Sequence, residues 1–452
     1  MKKHPLVWLL MSLSLCSLVV YANPVKPLPD AQKGYTLLTT RAFNSALWSR
    51  DTVDQAWKQW GYREKPEAFE QLFRERYGLH PAPYSNQGLP MGLRETKTLI
   101  GRPGVTNDCM ICHGSSLLGK SYIGLGNASL EIEALFDDLY GFGGKQRKAL
   151  FAFTNVRGTN EAAAMAIFLF SIRNPDLTLR TKPLDLGLKD NLCEDVPPWW
   201  HMKKKKTMYY DGSTPTTSVR SIMQFTLGPL ATRDSIQAME PDFMDVLAYI
   251  KTIEPPKYPF PVDTNKAAQG KILFNHHCSS CHGTYGPDGQ YPNKIVKLDE
   301  IGTDPVRAMA ITERARDHYL STWFGQETNE QGQPLKYQLT RGYQAPPLDG
   351  IWASAPYLHN GSVPTVYHVL NSQARPKAYT RSFRTNEADY DSVRLGWRFQ
   401  EWTGTVDPQL PSIEKRKIYD TTQPGRGNGG HTFGDNLADE ERWAIIEYLK
   451  TL

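Results

Sequence analysis

The chain has 452 residues, enough for two or three domains that each bury a core. Its formal net charge is +5, with 52 basic and 47 acidic side chains, a balance that argues against nucleic-acid binding. Beyond the N-terminus no stretch is long and apolar enough to span a bilayer.

Residues 1–22 read as a secretory signal peptide. Lys2 and Lys3 form a positive start, Leu6 to Val20 is mostly apolar, and Val20-Tyr21-Ala22 suits a signal peptidase. The apolar run is short for an uncleaved anchor. Cys16 follows Leu15, where a lipoprotein cleavage site needs a small residue. The expected location is periplasmic or secreted, with no membrane span after cleavage. Loss of the two lysines lowers the formal charge from +5 to +3.

Residues 23–88 read as an N-terminal helical extension, with Trp48, Trp57, Trp60 and Phe69 spread among charged residues. The next unit is placed at 89–254. It contains Cys109-Met110-Ile111-Cys112-His113, and it closes on a helix expected from Pro241 to Thr252. Proline suits the first turn of that helix, and Phe243, Val246, Leu247 and Ile250 make one apolar stripe. Residues 255–261 contain Pro255, Pro256, Pro259 and Pro261, and read as a semi-rigid linker.

The last unit, 262–452, contains Cys278-Ser279-Ser280-Cys281-His282 behind a helical run at Gln269 to Phe274. Its end carries Asp439-Glu440-Glu441 in a first helical turn, where acids suit the dipole. Ile445, Leu449 and Leu452 follow on one face.

Each Cys-x-x-Cys-His places two thiols on one turn, where they reach the two vinyl groups of one haem, and the adjacent histidine ligates the iron. A thioredoxin-like thiol pair or half of a zinc site shares the spacing. Two copies, each followed by glycine (Gly114, Gly283) and behind an export signal, favour two covalently bound haem c groups. The expected fold is mainly α: two cytochrome c-like haem domains with long irregular loops and the N-terminal helical extension. Cys193 is left over and reads as a small buried apolar residue.

Ala355-Pro356-Tyr357-Leu358-His359-Asn360-Gly361-Ser362 resembles the APY-x-H-[ND]-G-S segment of bacterial di-haem cytochrome c peroxidases and their MauG-like relatives. Gln344-Ala345-Pro346-Pro347-Leu348 resembles the TPSL stretch of that superfamily. Pro197-Pro198-Trp199-Trp200, Lys203 to Lys206 with Met208-Tyr209-Tyr210-Asp211-Gly212, Ala374-Arg375-Pro376 and Gly427 to Gly434 resemble the di-haem rubber oxygenase-like branch.

The resemblance implies an oxidoreductase with one electron-transfer haem and one reactive haem. The implied small-molecule oxidant is peroxide or dioxygen, and the branch adds an apolar organic substrate. His431 is favoured as sixth ligand of the haem at His282. It lies in a glycine-rich loop that lets backbone approach a flat cofactor, and it matches a ligand position of the branch. A surface loop histidine is the alternative, and Met309 is the second candidate ligand. His359 reads as a structural or propionate contact. Trp199 and Trp200 are implied as an electron relay beside the haems, with core filling as the plain alternative. Lys203 to Lys206 reads as a solvated face that could also steer an electron-donor protein.

The haem at His113 is expected to be the reactive one, because Gly114 to Leu130 contains no histidine. A non-catalytic di-haem electron carrier is the rival reading, and a redox or ligand sensor a third.

Overall fold

A computed structural model describes residues 28–141, 151–228 and 230–452. The signal-peptide reading, with Cys16, lies outside the described residues. Helix makes up 34% and strand 12%, so helices dominate the regular structure and much of the remainder is loop.

Two helix pairs organise the chain. Helix α1 (Ala31–Thr40) starts at Asp30, whose carboxylate accepts the backbone N–H groups of Gln32 and Lys33. It packs against α3 (Glu240–Ile250), on which Phe243, Val246, Leu247 and Ile250 are buried. Between them in sequence lies α2 (Met110–His113), the turn of the first Cys-x-x-Cys-His. The segment 23–88 thus supplies one half of the helix pair that frames this turn. The same plan recurs. Helix α4 (Thr264–His277) is capped by Asp263 and leads directly into α5 (Ser279–His282). Helix α7 (Asp439–Leu449) packs across α4 with Ile445, Ile446 and Leu449 buried.

Each pair crosses at a glycine. A Cβ on Gly34 would lie 2.0 Å from the Asp245 carbonyl oxygen, and one on Gly270 would lie 1.8 Å from that of Ala444. Only hydrogen fits at these crossings, which lets the backbones touch.

Short strands fill the connections. Strands β1 (Trp48–Ser49), β2 (Leu93–Lys97) and β3 (Pro103–Asn107) form a sheet in the order β1-β3-β2, with Leu93 opposite Asn107. The first Cys-x-x-Cys-His runs straight into a hairpin of β4 (Gly114–Leu117) and β5 (Lys120–Ile123). Strands β6 (Ile295–Lys297) and β7 (Gly342–Gln344) pair with Val296 opposite Tyr343.

The halves share a core. Leu117, Leu125 and Trp200 of the first half pack with Phe274, Trp352, Ile445 and Leu449 of the second. Across the same boundary Arg307 sits between Glu194 (2.8 Å) and Asp211 (3.6 Å), all three buried. Near the N-terminus Phe69 stacks on Trp60, Tyr77 meets Trp60 and Phe73 edge-on, and these rings share a core with Ile111 of α2.

Candidate functional site

The two Cys-x-x-Cys-His turns are built alike. Both place a histidine at the end of a four-residue helix, with a proline carbonyl beside the ring. His282 Nδ1 donates to the Pro346 carbonyl at 2.8 Å. The His113 ring lies by the Pro197 carbonyl, and its buried Nδ1 makes no hydrogen bond of regular geometry. An Nδ1 occupied by a carbonyl fixes the tautomer that leaves the Nε2 lone pair for a metal. Burial pushes both rings down, His113 to about 4, so each is neutral at pH 7, the form that ligates.

The cysteines are free thiols. Burial pushes Cys109, Cys112 and Cys278 up to about 12, with Asp108 adding to Cys109, Cys109 to Cys112 and Cys281 to Cys278. Paired thiols on one turn beside a histidine suit covalent attachment of a haem edge.

Around the second turn lies a largely apolar cavity of about 290 Å³, whose walls include Cys278, Cys281, His282, Pro346, Val369 and His431. Across it the rings of His282 and His431 lie 6.2 Å apart, centre to centre, at 57°. Two metal–imidazole bonds of about 2 Å, extended to the ring centres, span roughly 6 Å. The pair is spaced as two axial imidazoles would be, so these residues fit a haem. Burial, then His282 and Arg375, lower His431 to about 4.

The remaining described histidines are engaged elsewhere. His80 bonds Asn127 (3.0 Å) and Ser116 (2.6 Å), His201 the Asp349 carbonyl (3.1 Å), His318 the Phe170 carbonyl (3.1 Å) and His368 Thr365 (2.7 Å). His276 and His277 are exposed. Met309, the second candidate ligand, is 42% exposed, has its sulfur 3.8 Å from Arg341, and is not part of the cavity wall.

Trp199 stacks on His113, with ring centres 4.8 Å apart and planes at 23°. Its neighbour Trp200 is buried and donates from Nε1 to the Asp349 carbonyl at 2.8 Å. Pro197, Pro198 and His201 of the same segment line the second cavity. One stretch, Pro197 to His201, therefore touches both Cys-x-x-Cys-His sites.

His359 is buried in the cavity wall, stacked on Tyr343 at 3.9 Å and bonded to the Tyr343 hydroxyl at 3.0 Å. Lys203 pairs with Glu254 and Lys204 with Asp349 (2.6 Å), so two of the four lysines turn back onto the protein.

Sequence reasoning missed three parts of this site. Asp195 lines the cavity, and burial raises its carboxyl well above the usual range, with Tyr210 donating to it at 3.3 Å. The Pro346 carbonyl sits in the Gln344-to-Leu348 stretch, but the motif carries no sign that a backbone oxygen holds His282. Arg375 was visible in Ala374-Arg375-Pro376, without a role.

With this geometry in place, comparison adds a family. Residues 342–380 match the RoxA-like, cytochrome c-like family. That segment carries Pro346, His359 and Arg375, and together with the two Cys-x-x-Cys-His turns it supports a haem cytochrome. Two curated relatives come from Sinorhizobium fredii. The uncharacterized protein y4iM is 28% identical over 297 residues, 57% of this chain and 64% of that protein. The uncharacterized protein y4iJ is 29% identical over 262 residues, 44% of this chain and 41% of that protein. The chain thus spans less than two thirds of the length of either. A solved structure, xenon-pressurized hydrazine synthase of Kuenenia stuttgartiensis, aligns over the full length of both chains at 13% identity and a TM-score of 0.27, too distant to bear on fold or function. Among the described residues no helix is long and apolar enough to cross a membrane.

Proposed function

We propose that the protein is an exported, periplasmic di-haem c-type cytochrome acting as an oxidoreductase on peroxide or dioxygen. One haem is held by Cys109, Cys112 and His113, the other by Cys278, Cys281 and His282 with His431 opposite. When bound, haem c supplies one-electron chemistry, and an iron with an open axial position takes up a small oxidant. The observation that carries the reading is the 6.2 Å separation of the His282 and His431 rings across the cavity.

The residues divide the labour. His282 and His431 would together hold the iron of their haem, which suits electron storage. At the other site the ring found against His113 is Trp199, and the described histidines are engaged elsewhere or exposed, which leaves the side opposite His113 for the oxidant. Trp199 and Trp200 offer an aromatic route for electrons between the sites, and an acidic donor protein would supply them from outside. An apolar organic molecule is the candidate substrate if dioxygen is the oxidant.

Mass spectrometry of the exported protein tests the cofactor count, and an excess of two haem b masses is expected. EPR then tests the roles. His431→Gly should convert one low-spin signal to high-spin with both haems retained, and cyanide should perturb only the His113 haem of the unmodified protein. Cyanide binding to neither haem would leave the electron carrier as the better reading.

A further inference from the structure

We infer that Arg375 is the positioning residue that holds His431 in reach of the iron, an inference that rests on His431 being the ligand proposed above. All of its side-chain hydrogen bonds go to backbone carbonyls. Nε donates to His368 (2.8 Å), one terminal nitrogen to Asn428 (2.6 Å) and Gly430 (2.7 Å), and the other to Val369 (3.2 Å) and His431 itself (3.1 Å). A guanidinium has five N–H donors in a rigid fork, and here five carbonyls receive them.

The two sets of carbonyls belong to different elements. His368 and Val369 lie near the C-terminal end of helix α6 (Val366–Leu370), where unpaired carbonyls favour a cation. Asn428, Gly430 and His431 belong to the glycine-rich loop. Arg375 therefore pins the loop to a helix whose Val366, Val369 and Leu370 line the same cavity as His431.

The loop needs a pin because its conformation is costly. His431 has φ +46°, a left-handed geometry disfavoured for a residue with a Cβ. Its N–H donates to the Ile301 carbonyl at 2.7 Å, so Ile301 and Arg375 grip the two sides of this one residue. On the other side Gly430 is pressed on Gly302, where a Cβ would lie 2.2 Å from the Gly302 carbonyl carbon. Arginine thus offsets backbone strain at the position where an imidazole must stand 6.2 Å from its counterpart. Lysine would keep the charge but has three donors on a flexible stem and cannot serve five carbonyls.

The test uses the full-length haem-loaded protein and two variants, Arg375→Lys and His431→Gly. Arg375→Lys should keep both haems attached, yet shift one from low-spin toward high-spin. Its reduced form should bind carbon monoxide at that haem, the unmodified protein should not, and added imidazole should restore the low-spin signal. A merely structural arginine would move none of these. If His431→Gly goes high-spin while Arg375→Lys stays low-spin and resists carbon monoxide, the brace is overturned and the ligand reading stands. If His431→Gly itself leaves the low-spin spectrum unchanged, the ligand reading fails and the brace with it. Should Arg375→Lys not accumulate, arginine-labelled 15N spectra of the unmodified protein decide. Resolved, slowly exchanging Nη protons assigned to Arg375 support the brace, and a freely averaging Arg375 guanidinium overturns it.

Discussion

Trp200 donates a 2.8 Å hydrogen bond to the carbonyl of Asp349, three residues beyond Pro346, whose own carbonyl accepts from His282. At the other end of the same segment the Pro197 carbonyl faces His113. A short chain of bonds, Pro197 to Trp200 and Asp349 back to Pro346, thus connects the two histidines. Trp200→Phe keeps an aromatic ring but removes the donor and leaves a gap at a core position that is 1% exposed. It should cost about 1 kcal/mol of stability for the lost hydrogen bond, with a further cost for the gap, and slow electron transfer between the haems while both stay attached. Flash reduction of one haem, followed by the optical recovery of the other, measures this. An unchanged rate would remove Trp200 from the route.

The helix crossings make a second prediction. Gly34→Ala and Gly270→Ala each place a methyl about 2 Å from a backbone carbonyl oxygen, at 2.0 and 1.8 Å. Helix propensity favours alanine by nearly 1 kcal/mol, but the helices must separate to admit it, and overpacking typically costs about 1–3 kcal/mol. Both variants should be destabilised, as read from urea unfolding midpoints. A stabilised variant at either site would show that the close crossing is not required there.

The parts of the molecule visible in the sequence are those with local signatures. The Cys-x-x-Cys-His turns, the stripe Phe243, Val246, Leu247 and Ile250, and the acidic start of α7 each lie within a few residues of one another, so periodicity and motif suffice. The partner of α3 was not visible, because α1 lies some two hundred residues away and its signal is a single glycine, Gly34, that matters only once the helices cross. The same holds for the site. His431 stood out by its glycine-rich loop, whereas Pro346 acts through a backbone oxygen and Arg375 through five carbonyls drawn from two segments. Backbone acceptors carry no residue code, so no motif announces them.

Buried histidines predict loss of stability in acid. Burial, opposed by the Asn127 hydrogen bond, lowers His80 to about 4. The unfolded chain takes up this proton near pH 6.5 and the folded chain only near 4. As pH falls through that window the unfolded state binds more protons, and stability declines by roughly 3 kcal/mol for this one group. His201 and His368 are also lowered to about 4 by burial, and His359 to about 3, so the declines add. His80→Gln should flatten the slope of unfolding free energy against pH by about one proton between pH 6 and 4.5. An unchanged slope would mean that His80 is not buried and neutral in the folded protein.

The last prediction concerns the seam between the halves. Arg307 enters it from the second half and meets Glu194 at 2.8 Å and Asp211 at 3.6 Å from the first, with Glu194 also accepting the Ala163 N–H at 2.9 Å. Removing the nearer carboxylate leaves a cation that is 5% exposed with only Asp211 at 3.6 Å, and breaking a buried pair in this way costs about 3–5 kcal/mol. Glu194→Gln should therefore lower the urea midpoint strongly. Glu194→Gln combined with Arg307→Met and Asp211→Asn should recover part of the loss, because that triple variant buries none of the three charges. The seam runs beside the Pro197-to-His201 segment, since Glu194 and Asp195 lead directly into it. If the pair also fixes the spacing of the two sites, the single variant should slow interhaem electron transfer at pH 7 under conditions where it remains folded, and the triple variant should restore it in proportion to its stability. Equal stability of Glu194→Gln and the unmodified protein would show that Asp211 alone satisfies Arg307.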